Sequence, residues 1–325
     1  MKLDKPVKVF SCFACGGGSC MGYKRAGFDV IGCVEIDPAI NAMYRENLHP
    51  KYNYCMDLRE FNKLELPDEL YHLDILDGSP PCTSFSSAGR REETWGKEKV
   101  FREGQAKQTL DDLFFVFLDT VEKLKPRVVI AENVVGLIRG KAKGYVHEIV
   151  SRFREIGYAV QVFQLNAAYM DVPQARHRVF FVASREKQPP LRLRFQYSPI
   201  LFREIREDKG VPMGEGTVLA NLAAAAIPGE TNLSETAQRI AGEKNKYFTT
   251  YINWDNDVCV TQTSSCRHVR GYDRQFMSDL DIVRSQTFPR DYDFCGNDPA
   301  YVCGMSVPPN MMANIAMEVW EQWLK

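Results

Sequence analysis

The segment Val7-Lys8-Val9-Phe10-Ser11-Cys12-Phe13-Ala14-Cys15-Gly16-Gly17-Gly18-Ser19 gives the first indication of the fold. It is an apolar run that ends in three glycines, and residues 19–26 then suit a helix that stops at Gly27. A glycine turn between a strand and a helix lets the backbone approach a ligand closely. The segment therefore predicts a ligand-binding corner of an α/β sheet, although the turn alone does not identify the ligand.

Strands and helices alternate through the first half of the chain. The predicted strands are residues 7–13, 30–36, 75–77, 128–131, 160–165 and 179–183, and the predicted helices are residues 19–26, 113–124 and 146–156. This alternation is typical of a doubly wound, mostly parallel sheet that binds ligands at the carboxyl ends of its strands. An apolar face over residues 312–323 has the spacing of a further helix at the end of the chain.

The pattern changes at about residue 185. Pro189-Pro190 interrupts the chain there, and the apolar residues that follow are scattered and short-ranged. A chain of 325 residues is long enough for two domains. We predict one domain from residues 1–184 and 302–325, and a smaller, loop-rich domain from residues 185–301.

A second informative segment is Gly78-Ser79-Pro80-Pro81-Cys82. Two consecutive prolines fix two φ angles and remove two backbone donors, so the next residue is held stiffly at a strand end. Small residues follow Cys82 and could form a loop over a substrate. The pattern predicts a thiolate nucleophile, while the alternative reading is a buried structural cysteine.

Further blocks follow in a fixed order. They are Glu35-Ile36-Asp37-Pro38, Glu132-Asn133-Val134 and Gln174-Ala175-Arg176-His177-Arg178, then Thr287-Phe288-Pro289-Arg290-Asp291-Tyr292 and Gly304-Met305-Ser306-Val307-Pro308-Pro309. Together with the glycine turn and the Pro-Pro-Cys segment, this series resembles the DNA cytosine-5 methyltransferase family of the compact, prokaryotic or phage type. The resemblance covers nearly the whole chain except about residues 185–265.

The resemblance implies an enzyme, a DNA (cytosine-5-)-methyltransferase with the S-adenosylmethionine-dependent methyltransferase fold. It would methylate carbon 5 of a flipped-out cytosine in a specific duplex sequence through a covalent Cys82 adduct. Glu132 follows four apolar residues, and burial there would raise its pKa so that it can share a proton with ring N3. By resemblance, Arg178 contacts the cytosine carbonyl and Arg176 helps to order the site.

The resemblance implies S-adenosylmethionine as the cofactor. Glu35 ends the second strand, where a carboxylate can accept hydrogen bonds from ribose hydroxyls. Asp57 would meet the adenine amino group, and three apolar residues would form the walls. The predicted cofactor-binding residues are Phe13, Cys15, Gly17, Gly18, Glu35, Ile36, Asp57, Pro81, Leu113 and Ser306.

Two positions depart from the family's usual pattern. Cys15 stands where the family usually has glycine, and we expect little cost if its φ angle is negative. Met305 stands where the family usually has asparagine, and a thioether cannot reproduce the hydrogen bonds of an amide. A side-chain contact to the cofactor is therefore not expected from Met305.

Contacts with DNA are expected from the loop after Cys82 and from the second domain. The target base must leave the duplex before it can react, and the loop, with Trp95, Lys97 and Lys99, would close over it. The second domain would read base edges. The predicted DNA-binding residues are Ser86, Arg90, Arg91 and Gln174.

Composition constrains partners and location. The net charge is −1 and the isoelectric point is about 6.5, so any DNA-binding surface must come from local clusters of basic residues. The ten cysteines come without a recognisable secretory segment, and no second pair accompanies Cys12-x-x-Cys15, so we expect reduced thiols and no metal. We expect a cytoplasmic, nucleoid-associated monomer without membrane contact, acting on double-stranded DNA alongside a cognate restriction endonuclease.

Three alternatives stay open at this point. The tRNA-methylating branch shares the catalytic blocks, although the divergent insert after residue 185 favours DNA. A catalytically silent DNA-binding regulator is disfavoured because Cys82, Glu132, Arg176 and Arg178 are all present. A nicotinamide dehydrogenase would need a proton-relay residue, and none accompanies the glycine turn as clearly as Cys82 does.

Overall fold

The computed structural model describes residues 5–81, 112–139, 143–242 and 250–325. The chain divides into two compact units. The first comprises Met1–Leu165, His177–Arg194 and Ala313–Lys325, and the second comprises Asn166–Arg176 and Phe195–Met312.

A seven-stranded sheet forms the centre of the first unit. Its strands are β1 (Lys8–Cys12), β2 (Asp29–Glu35), β3 (Tyr52–Cys55), β4 (Ile75–Gly78), β5 (Val128–Val134), β6 (Ala159–Asn166) and β8 (His177–Ser184), while β7 (Gln174–Ala175) lies in the second unit. The strand order is β3-β2-β1-β4-β5-β8-β6. The pairs from β3 to β5 are parallel, and β8 runs antiparallel to β5. The predicted α/β class with a mostly parallel sheet is confirmed.

Helices connect these strands. They are α1 (Gly18–Arg25), α2 (Pro38–Leu48), α3 (Leu58–Phe61), α4 (Leu113–Leu124) and α5 (Lys143–Glu155). Local sequence sets where α2 begins, because the Asp37 carboxylate accepts hydrogen bonds from the first free N–H groups and Pro38 occupies the first helical position. The chain therefore turns from β2 into α2 directly after Glu35.

A large hydrophobic cluster lies against one face of the sheet. Phe10 and Cys12 of β1 point into it, and α4 contributes Phe114 and Phe117. Gly78 is in such close contact with the Phe117 ring that a Cβ atom at this position would overlap it. Side chains alternate along a strand, so Ser11 faces the opposite side of the sheet. The carboxyl end of β4 is thus held in place by its contact with the Phe117 ring of this core.

The second unit consists of short helices and two-residue strands. Its elements are β7, α6 (Phe202–Ile205), α7 (Val218–Ala225), α8 (Leu233–Ala241), β9 (Ile252–Asn253), β10 (Cys259–Val260), β11 (Val269–Arg270), α9 (Asp279–Ser285) and α10 (Pro299–Met305). β10 pairs with β7 and β11 pairs with β9, both in parallel. A small cluster that includes Leu222, Leu233 and Val269 forms a core of its own. A long stretch of irregular chain therefore still has a packed interior.

The chain ends in α11 (Pro309–Val319) and one π-helical turn, Trp320–Leu324. The predicted helical face is present, and Trp323 donates its indole N–H to the Pro189 carbonyl at 2.9 Å. Within the described ranges, every helix is too short or too polar to cross a bilayer.

Candidate active site

The Pro-Pro turn lies directly after β4. The Ser79 N–H approaches the Cys12 carbonyl at 3.4 Å, and the Asn133 amide donates to the Pro80 carbonyl at 3.1 Å. The ends of β1, β4 and β5 are therefore tied together at the residues that precede Cys82. Cys82 lies outside the described residues, and so do Ser86, Arg90, Arg91, Trp95, Lys97 and Lys99.

Glu132 and Arg178 form an ion pair across β5 and β8. The antiparallel register places Arg178 opposite Val134 and Glu132 opposite Phe180, so both side chains share a face. Arg178 Nε lies 2.8 Å from Glu132 Oε1, and the two side chains are 14% and 11% exposed. Burial lowers the pKa of Arg178, and the charge of Glu132 opposes that shift. The structure thus brings two of the four predicted catalytic residues together at a strand end.

Arg176 has different partners. Its guanidinium is buried and donates from Nη1 to the Gln262 carbonyl at 3.1 Å and from Nη2 to the Gly304 carbonyl at 2.9 Å. These contacts lie within the second unit, whereas Arg178 belongs to the first. Arg176 therefore holds backbone segments of the second unit, and its predicted role in ordering the catalytic site stays a prediction.

Gln174 is also fully buried. Its side-chain oxygen accepts from the Gln262 N–H at 3.0 Å, and its amide donates to the Ser285 carbonyl at 3.3 Å. A DNA contact by this side chain would require it to leave both partners.

Glu35 is placed as a partly buried acceptor at the carboxyl end of β2. One carboxylate oxygen accepts from the Cys15 N–H at 2.9 Å, and the other accepts from the Asp37 N–H at 3.0 Å. Burial raises the pKa of Glu35, while the backbone donors, Asp37 first, lower it. The carboxylate therefore ties the glycine turn to the end of β2. A cofactor that offers hydroxyl groups fits this donor and acceptor set.

The glycine turn has a strained backbone. Gly17 has φ +73° at the N-terminus of α1, and a Cβ atom there would overlap Leu48. Phe13 and Cys15 also have positive φ angles, +56° and +47°. The expectation that Cys15 costs little depended on a negative φ and is therefore wrong, because this turn requires the left-handed conformation at a residue that is not glycine. Strain of this kind is characteristic of ligand-binding turns.

The remaining predicted cofactor residues occupy several environments. Asp57 caps α3, accepting from the Arg59 N–H at 2.7 Å, so its carboxylate is partly engaged. Leu113 is buried in the core at the start of α4, and Pro81, Ile36 and Gly18 lie beside strand ends or at the start of α1. Ser306 is buried at the end of α10 in the second unit, and Met305 beside it is exposed.

Sequence reasoning missed Asp77, the third residue of β4. It is 2% exposed, and its carboxylate accepts hydrogen bonds from Ser11 Oγ at 2.8 Å and from the Tyr23 hydroxyl at 3.0 Å. Burial raises its pKa to about 7. A charged residue inside the otherwise apolar Ile75–Gly78 strand was the available signal.

The match to a known protein family covers nearly the whole chain. The sequence model of the C-5 cytosine-specific DNA methylase family matches residues 7–321. The chain belongs to this family. Enzymes of the family transfer a methyl group from S-adenosylmethionine to carbon 5 of cytosine in DNA, through a covalent cysteine adduct.

Similar proteins are type II methyltransferases of bacteria. The chain is 26% identical to the type II methyltransferase M.NgoPII of Neisseria gonorrhoeae, over 97% of this chain and 95% of that protein. It is 27% identical to M1.HphI of Haemophilus parahaemolyticus, over 94% and 85% of the two chains.

Solved structures support the fold. One, described as a DNA modification methyltransferase encoded within a prophage of E. coli, superposes with a TM-score of 0.70 at 19% identity and covers 98% of this chain and 100% of its own. The S. pombe Dnmt2 methyltransferase superposes with a TM-score of 0.62 at 14% identity, covering 98% and 99%. At these identities the likeness establishes the fold.

Proposed function

We propose that this chain methylates carbon 5 of a flipped-out cytosine within a specific sequence of duplex DNA, with Cys82 as the nucleophile. The observation that carries the proposal is the buried Glu132–Arg178 pair at 2.8 Å, on neighbouring strands of the unit that also contains the Pro-Pro turn. A carboxyl and a guanidinium in this arrangement match the polar edge of a cytosine, which offers N3 and a carbonyl.

The reaction begins at carbon 6 of the base. The Cys82 thiolate adds there, and the electron pair of the 5,6 double bond becomes available at carbon 5. Charge that develops at N3 is neutralised by a proton or a strong hydrogen bond from Glu132. Bound S-adenosylmethionine supplies the methyl group that carbon 5 takes up. Loss of the carbon 5 proton to water, with return of the N3 proton to Glu132, then restores the double bond and expels the thiolate.

Arg178 has two functions in this proposal. It orients the Glu132 carboxyl through the contact with Oε1, which leaves Oε2 for the base. Its Nη1 donates to the His177 carbonyl at 2.8 Å, and its Nη2 would face the cytosine carbonyl. A guanidinium suits this task because it is planar and stays charged when it is buried. Asn133 contributes by fixing Pro80, so that the turn before Cys82 keeps one conformation.

The cofactor would be held at the carboxyl ends of β1, β2 and β4. Glu35 would accept the ribose hydroxyls, and Asp57 would meet the adenine amino group. Phe13, Pro81 and Leu113 would form the apolar walls. We assign catalysis and cofactor binding to residues 1–184 and 302–325.

Target recognition is assigned to residues 185–301, with Ser86, Arg90, Arg91 and Gln174 as further DNA contacts. The type II relatives support a role beside a cognate restriction endonuclease. We propose that the enzyme acts on the nucleoid in the cytoplasm as a monomer.

The test is cytosine-resolved sequencing after bisulfite treatment of DNA from cells that express the chain. We expect protected cytosines at one short sequence and nowhere else. Purified protein incubated with labelled S-adenosylmethionine should label duplex DNA and leave tRNA unlabelled. Label in tRNA alone would contradict the proposal.

A further inference from the structure

The strongest unexplained feature is the buried carboxylate of Asp77. It lies between β1 and α1, where Ser11 Oγ and the Tyr23 hydroxyl each donate one hydrogen bond to it. Neither partner is charged. The proposed mechanism gives Asp77 no task, although its place is one residue before Gly78 at the end of β4.

No cationic side chain in the described part of the chain neutralises Asp77. The groups that face it from the neighbouring elements are Ser11 and Cys12 of β1, Cys20 and Tyr23 of α1, Tyr44 of α2 and Glu132 of β5. Burial, followed by the charge of Asp77, raises the pKa of Cys12 and of Cys20, so both thiols stay neutral. Glu132 has Arg178 as its counter-ion. Among the residues that the structure describes, the Asp77 carboxyl therefore has hydrogen-bond donors but no counter-ion.

Two turns of the cofactor site begin beside this charge. Ser11 lies in β1, which runs into the strained turn from Phe13 to Gly17, and Asp77 lies in β4, which runs into Pro80 and Pro81. A charge in a protein interior acts over a longer distance than a charge in water, because its surroundings screen it less. A positively charged ligand at these turns would be attracted by Asp77 even without touching it.

The substrate and product of this site differ in charge. S-adenosylmethionine carries a sulfonium cation, whereas S-adenosylhomocysteine, which remains after methyl transfer, has a neutral thioether at the same position. We propose that Asp77 provides the buried negative charge that makes this unit bind the sulfonium cofactor in preference to its thioether product. This inference rests on the proposed function, because it takes S-adenosylmethionine as the methyl donor.

The direction of the pH effect follows from the charge. The pKa of Asp77 is raised to about 7, so the carboxyl is mostly neutral below that pH and mostly ionised above it. The preference for the cation should therefore increase as the pH rises through 7. Unit charges roughly 10 Å apart, at an effective dielectric constant of about 20 to 40, change an affinity about 4- to 15-fold.

The experiment is isothermal titration calorimetry of the full chain with each nucleoside between about pH 6 and about pH 8, one unit on either side of that pKa. The measured quantity is the Kd for S-adenosylhomocysteine divided by the Kd for S-adenosylmethionine. Asp77→Asn removes the charge with little change of shape. Asp74→Asn is the matched control, because Asp74 lies on the same stretch and is paired with Arg127. Titration of the ligands' own amino groups affects all three proteins alike.

Because the carboxyl is already partly ionised at the lower pH and partly neutral at the upper one, we expect the ratio to increase about 3- to 6-fold across this range in the wild type and in Asp74→Asn, and much less in Asp77→Asn. Equal pH profiles for the wild type and Asp77→Asn would overturn the inference while leaving the proposed function intact. A wild type that bound neither nucleoside would instead contradict the proposed function and remove this inference with it.

Tyr23→Phe gives a second test should Asp77→Asn fail to fold. The Tyr23 hydrogen bond lowers the pKa of Asp77, so its loss should move the rise in the ratio to higher pH. If the ratio of the two Kd values increased at the same pH in Tyr23→Phe as in the wild type, Asp77 would not be the charge responsible for the preference.

Discussion

At the scale of single residues, the proposed chemistry depends on the ion pair of Glu132 with Arg178, whose atoms Oε1 and Nε are 2.8 Å apart. Glu132 was recognisable from its position after four apolar residues, and it is buried as expected. Arg176 and Arg178 are two positions apart, yet one donates to backbone carbonyls and the other to a carboxylate. Contacts of this kind depend on segments far away in sequence, such as Gln262 and Gly304, which a local pattern cannot locate.

Replacing Glu132 with glutamine should lower kcat by about 10²- to 10⁴-fold, because an amide cannot supply the proton that the ring requires. Affinity for S-adenosylmethionine should stay within about threefold of the wild type. Steady-state methyl transfer measures kcat, and calorimetry measures the affinity. Glu186→Gln is the control, because Glu186 pairs with Arg127 at the surface of the same unit. Equal kcat values in the two variants would remove Glu132 from the mechanism.

Cys15→Gly should stabilise the protein by up to about 1 kcal/mol, since glycine accepts the φ angle of +47° without strain, although its greater freedom in the unfolded chain offsets part of the gain. Urea denaturation provides the measurement. Cys55→Gly, in the strand β3, should destabilise instead, because glycine weakens a strand. A lower stability for Cys15→Gly would show that the Cys15 side chain contributes more than its backbone strain costs.

At the scale of elements, apolar runs identified the central strands, because β1, β4 and β5 are buried on both faces. The sequence analysis did not predict β3 or α2. β3 reads Tyr-Asn-Tyr-Cys and lies at the edge of the sheet, so it lacks the apolar run that marks a central strand. Asp37 and Pro38 are a signal for the start of α2, but the sequence analysis assigned this segment only to the cofactor pattern around Glu35.

The junction of β4 with α4 gives a prediction for one element contact. Gly78→Ala should destabilise the protein by about 1 to 3 kcal/mol, because the new methyl group meets the Phe117 ring in a packed core. Gly144→Ala, on α5 with open space around it, should be neutral or stabilising by up to about 1 kcal/mol. Thermal unfolding of the two variants compares them directly. Equal melting temperatures would mean that the Phe117 ring accommodates the added methyl group without a loss of stability.

At the scale of the whole molecule, order and spacing of the blocks predicted the family and the fold class. The interior of the second unit was not predictable to the same degree, since its strands are two residues long and its helices are short. Such elements are held by side-chain contacts, for example those of the buried Arg270 with Asp281, and they have little periodicity of their own.

Modular recognition can be tested by exchange. Replacing residues 185–265 with the matching segment of a type II relative should change the methylated sequence and preserve methyl transfer to carbon 5, because base readout and chemistry are assigned to different parts of the chain. Bisulfite sequencing of DNA methylated by the chimaera shows the new target. A chimaera that kept the original target would place recognition elsewhere in the chain.

The proposed function depends on the attack of Cys82 on carbon 6 of cytosine, and a trapping experiment detects this bond as a covalent complex. Duplex DNA with 5-fluorocytosine at the target position should form a covalent complex with the wild type in the presence of S-adenosylmethionine, because fluorine cannot leave carbon 5 as a proton does. The complex should survive denaturing electrophoresis and should be absent with Cys82→Ala, while Cys55→Ala, which alters another cysteine, should still form it. A denaturation-resistant complex with Cys82→Ala would exclude Cys82 as the nucleophile.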